Sequence, residues 1–73
     1  MTKIPPFTGK KLVKKLEKLG FMIVRQKGSH VILKHFDGRT TVVPIHQGQE
    51  LDQSFIRKIL KEVRVSIEDF LCA

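Results

Sequence analysis

A chain of 73 residues, 41% hydrophobic and 29% charged, has room for one domain with a small core and the composition of a folded protein. It holds no apolar stretch near the ~20 residues of a membrane span, no signal-peptide core in Met1-Thr2-Lys3-Ile4-Pro5-Pro6, and one cysteine, Cys72, which excludes an internal disulfide or a multi-cysteine zinc site. The net charge of +7 is lopsided: ten Lys and Arg stand against two acids up to Arg39, and four against five thereafter.

These properties lead us to expect a reduced, cytoplasmic protein whose basic first half draws polyanions. The first periodic segment runs from Gly9 to Leu19. Leu12, Leu16 and Leu19 share one helical stripe with Val13 beside it, and most of the clustered lysines, Lys10, Lys11, Lys14, Lys15 and Lys18, face away. Thr8 is placed to cap this helix, Pro5-Pro6 prevent an earlier start, and Gly20-Phe21 form its stop. The period then changes. Phe21 to Gln26 reads as a strand, Gly28 as a turn, and Ser29 to Phe36 as a second strand. Asp37-Gly38 predicts a two-residue hairpin turn, and Arg39 to Ile45 a third strand ending near Pro44.

A loop, His46 to Leu51, leads to a second helix capped by Asp52 or Ser54, with Phe55, Ile56, Ile59, Leu60 and Val63 on its apolar face. Ser66-Ile67-Glu68-Asp69 has the pattern of a capped short helix. The order is α-β-β-β-α with a short terminal helix. Two amphipathic helices on a three-stranded antiparallel meander cover one sheet face, leaving the other partly open.

The segment Lys27-Gly28-Ser29-His30-Val31-Ile32-Leu33 holds a histidine at the start of a strand. Histidine, with an ordinary pKa of about 6.5, both takes and gives a proton near neutrality, and a strand holds it rigidly. In so small and basic a chain a positioned histidine points to chemistry on something negatively charged, nucleic acid being the most abundant such polymer. His30 is the candidate acid/base, and Lys27 and Lys34 are candidates to stabilise charge on a phosphate. His46 is a candidate second acid or loop anchor, whereas His35 is expected to be exposed. Ser29 adjoins His30, but neighbours on a strand point to opposite faces, which argues against a Ser-His nucleophile pair. The three histidines lack zinc-binding spacing, so no metal and no cofactor are expected.

Taken together, these landmarks resemble HicA-type (YcfA-like) toxins. The resemblance rests on the helix closed by Leu19-Gly20-Phe21, the Lys27-Gly28-Ser29-His30 element and the Asp37-Gly38 hairpin. It continues through Val43-Pro44-Ile45-His46, Ile59-Leu60 and Val65-Ser66-Ile67-Glu68-Asp69-Phe70-Leu71, so it spans Gly9 to Leu71. It implies a single domain over residues 1–73 with a fold like a double-stranded-RNA-binding domain, mRNA cleavage by His30, and neutralisation by a HicB-type antitoxin protein. Where such toxins usually carry Gly-Thr, this chain has Gln53-Ser54; Ser54 keeps a hydroxyl for a cap or a phosphate. Lys10, Lys11, Lys14, Lys15 and Lys18, with Lys27 and Lys34, are the expected RNA-binding residues. The same residues also fit a non-catalytic RNA-binding module, or an interaction protein using the open sheet face. A lysine stripe alone equally fits a solvated helix face.

Overall fold

The computed structural model describes residues 4–46 and 48–73, so the expectation about the opening residues, and Gln47 within the loop, lie outside the described residues. Pro5 and Pro6 hold the chain extended into a short strand, β1 (Phe7–Thr8). Thr8 then caps α1 (Gly9–Lys18), its side-chain oxygen accepting the Lys11 N–H. Three strands follow, β2 (Phe21–Lys27), β3 (His30–His35) and β4 (Thr40–Pro44), forming an antiparallel sheet in sequence order. The α+β architecture and the α-β-β-β-α order are those read from the sequence. A further strand, β5 (Glu50–Leu51), pairs with β1 and fastens the chain start beside the second helix. Two-residue strands leave no alternation pattern, which is why this pair escaped the sequence reading.

Asp52 caps α2 (Gln53–Glu62), and Ser66 caps α3 (Ile67–Cys72). α2 closes on a double carbonyl bond, Val65 N–H to Leu60 and Arg64 N–H to Lys61. Arg64 there adopts φ 57°, a position usually given to glycine.

Alternation along β3 sets the two faces of the sheet. Val31 and Leu33 are fully covered, as are Phe21 on β2 and Val43 on β4. They form one core with Leu12, Val13 and Leu16 of α1, Ile56, Ile59, Leu60 and Val63 of α2, and Phe70 of α3. Each such side chain contributes about 1.5–3 kcal/mol by leaving water. α1 starts hard against the end of β4, where a side chain at Gly9 would run into the Pro44 carbonyl oxygen.

The two-residue turn expected at Asp37-Gly38 is found at the other hairpin instead. The β2–β3 connection is the two-residue one: Lys27 pairs with His30 around Gly28-Ser29, and Gly28 at φ 60° supplies the positive first position of such a turn. The β3–β4 loop has three residues, Phe36-Asp37-Gly38. The His35 N–H reaches Arg39 and the Gly38 N–H returns to His35. A primed two-residue turn at Asp37-Gly38 needs positive φ at its first residue, Asp37, whereas here only Gly38 has it, at 100°. His35 also departs from expectation. It is buried against Phe21 (ring centroids 5.0 Å apart), and its Nδ1 accepts the Asp37 N–H. Its strand position shares the core face with Val31 and Leu33, which outweighs its place beside a turn.

Candidate functional site

His30 opens β3 immediately after the tight turn, so its backbone is held by pairing on both sides. Lys27 stands opposite it on β2 and Pro44 on β4. Residues directly opposite in antiparallel strands share a face, so Lys27 and His30 lie together on the sheet face turned away from the helices. Both are exposed. Arg25, opposite Ile32, and Lys34, opposite Met22, lie farther along the same face. None of β2, β3 or β4 contains an Asp or Glu. The face is thus cationic without a neutralising carboxylate of its own.

The strand pairing continues past β4. The Ile45 N–H donates to the Ser29 carbonyl, extending the His30–Pro44 register by one pair. Val43 and Ile45 pack towards the core, and exposed His46 follows two residues after Pro44, the β4 partner of His30. Ser29 is half-buried in the turn.

The lysines of α1 lie elsewhere. Leu12, Val13 and Leu16 face the sheet, so Lys10, Lys11, Lys14 and Lys18 are exposed on the far side of the helix layer. Lys11, Lys14, Lys15 and Lys18 line a shallow groove of about 210 Å³ with Phe7. The Lys15 ammonium is engaged by the carbonyls of Leu71 (3.2 Å) and Ala73 (2.7 Å). The helix lysines and the His30 face therefore form two separate basic surfaces. Ser54 is the second residue of α2, its hydroxyl donating to Asp52 Oδ2 at 2.9 Å. Gln53 donates to the Ile4 carbonyl at 2.9 Å, tying the chain start to α2. No group of three or more His, Cys, Asp or Glu side chains is placed to hold a metal among the described residues.

Sequence reasoning did not single out Phe36. Three of the five phenylalanines are buried, whereas Phe36 is 93% exposed at the β3–β4 hairpin. An apolar residue next to Asp-Gly is the available signal, since a turn offers it no core to enter.

Comparison with known families completes the description. The family described as HicA toxin of bacterial toxin–antitoxin matches residues 9–65. That span runs from α1 through α2 and includes Lys27, His30, Lys34 and His46, ending before the Leu71 reached by the sequence resemblance. No curated protein matches the chain. The matched region covers well over half of the molecule and carries its whole three-stranded sheet; the chain belongs to the HicA toxin family and has the role of a toxin within a toxin–antitoxin pair.

Proposed function

We propose that this toxin, of a type II toxin–antitoxin system, is a metal-independent mRNA endoribonuclease with His30 as its acid/base residue. The observation that carries this reading is the placement of exposed His30 opposite Lys27 on a sheet whose three strands hold no acid, with exposed His46 two residues past its partner Pro44. His30 takes the proton of the 2′-OH, and the 2′-oxygen attacks the adjacent phosphorus. The bond to the 5′-oxygen breaks, and His46 supplies the proton to that leaving oxygen. The products are a 2′,3′-cyclic phosphate and a 5′-hydroxyl end. Lys27 stabilises the charge gathering on the phosphate. Lys34 lies four residues along β3, about 13 Å away, and holds a phosphate farther along the RNA instead. A histidine in such a role contributes typically 10²–10⁴-fold.

The requirement for a 2′-OH restricts the reaction to RNA. The lysines of α1, on their separate surface, gather RNA by long-range attraction. The neutralising partner is a HicB-type antitoxin, a reading supported by the family's toxin–antitoxin context, and the site of action is the cytoplasm, a reading supported by the lone cysteine.

Wild type, His30→Ala and His46→Ala proteins incubated with long single-stranded RNA in EDTA test the reading. Wild type is expected to cleave and leave cyclic phosphate ends. His30→Ala is expected to bind RNA with unchanged salt dependence and not cleave. His46→Ala is expected to cleave RNA slowly, yet to regain speed on an analogue whose leaving group is a nitrophenolate, which needs no proton. Equal cleavage by wild type and His30→Ala overturns the mechanism. Salt-sensitive binding without cleavage in all three supports a non-catalytic RNA-binding module.

A further inference from the structure

The end of the open sheet face remote from His30 carries a different feature. Phe36 projects from the β3–β4 hairpin, 93% exposed, with Met22 (68%) and Val24 (56%) exposed beside it on β2. With Lys34 and His35 they line a shallow groove of about 160 Å³. The Phe36 ring lies 4.4 Å from the His35 ring, tilted by 32°, and His35 in turn sits edge-on to Phe21 at 5.0 Å, with Arg39 over the Phe21 ring. Phe36 thus touches a buried ring at its edge and leaves nearly all of its surface open to solvent.

We propose that Phe36 is a stacking platform for an unpaired base of single-stranded RNA, with Lys34 holding the adjoining phosphate. The proposal rests on the RNA-cleaving reading given above and adds a subsite to it. Two observations favour RNA as the occupant. Every charged side chain on this sheet face is cationic, complementing a polyanion. An exposed aromatic ring next to a lysine is the pairing that single-stranded nucleic acid uses, base on ring and phosphate on ammonium. Phe36 lies six residues beyond His30 along the line of β3, about 20 Å. The base on Phe36 therefore belongs to a nucleotide several positions from the cleaved bond, and the subsite acts on capture of long RNA and not on the chemical step.

The test measures fluorescence anisotropy of a labelled single-stranded 2′-O-methyl RNA decamer, which binds without being cut, and cleavage of a dinucleotide. Phe36→Ala and Phe36→Leu are expected to bind the decamer about tenfold more weakly than wild type. Phe36→Tyr is expected to bind like wild type, and all four proteins to cleave the dinucleotide at the same rate. Unchanged affinity in Phe36→Ala overturns the proposal and leaves the patch to a protein partner. Full affinity in Phe36→Leu overturns stacking in favour of plain apolar contact. A wild type that cleaves the dinucleotide but ignores the decamer overturns the subsite alone. A wild type that does neither overturns the RNA reading with it.

Discussion

Asp37 and Arg64 show how much single residues contribute outside the basic faces. Asp37 sits in the β3–β4 loop with its carboxylate accepting the Arg39 N–H at 3.1 Å and the Arg39 Nε at 2.7 Å. The Arg39 backbone bond, and then the charges of Arg39 and His35 against some desolvation, hold its pKa below the ordinary value. A carboxyl whose folded pKa is lowered stabilises the fold above the unfolded pKa, and loses that contribution as pH falls through the folded one. Asp37→Asn is therefore expected to lower the Tm at neutral pH, with the gap to wild type closing below about pH 4. Thermal melts across that range check it, and a gap of constant size would show that the charge is not the cause. Arg64 is held at φ 57° by the two bonds that end α2. Arg64→Gly relieves that conformation and is expected to raise stability by about 1 kcal/mol in urea titration.

Among the elements, the packing of α1 against the end of β4 couples the helix layer to the His30 site. Gly9 lies against Pro44, and Pro44 stands opposite His30. Gly9→Ala places a methyl group where the Pro44 carbonyl is, an overpacking that costs about 1–3 kcal/mol. The expected result is a lower urea midpoint together with slower RNA cleavage at saturating substrate, because the strand that flanks His30 is displaced. A lower midpoint with an unchanged rate would show that the strand end is free to shift without moving His30. β2 differs from its neighbours. Beyond Phe21 all its residues are exposed, and a bulge between Ile23 and Arg25 interrupts its pairing with β3. An edge strand with a bulge is guarded against pairing with another sheet, and its apolar side chains Met22, Ile23 and Val24 are left in solvent.

For the molecule as a whole, charge is divided between two surfaces that cannot touch the same phosphate. Replacing Lys10, Lys11, Lys14 and Lys18 by Gln removes charge from the helix layer and spares Lys15, which is tied to the Leu71 and Ala73 carbonyls. The logarithm of RNA affinity should then fall less steeply with the logarithm of salt, by up to about 0.7 for each phosphate that α1 no longer neutralises. The cleavage rate at saturating RNA should hold. If that rate falls with the affinity, RNA reaches His30 only when bound to α1, and the helix is part of the site.

The amino-acid sequence by itself determined the helices, the three-stranded meander and the outward aim of the lysines. Those properties follow from local periodicity and capping, as in Leu12 to Leu16 behind Thr8. It also exposed His30 as a candidate, since a Gly-Ser turn before a β-branched run fixes where a strand begins. Other decisions belonged to tertiary structure. The register of β3 with β4 decided that Pro44, two residues before His46, stands opposite His30, because pairing between distant segments leaves no mark on either one alone. Packing buried His35 and left Phe36 in solvent, although the two are neighbours beside the same turn. The separation of the α1 lysines from the sheet lysines was likewise decided by the core. A helix and a sheet that bury their apolar faces against each other necessarily turn their charged faces in opposite directions.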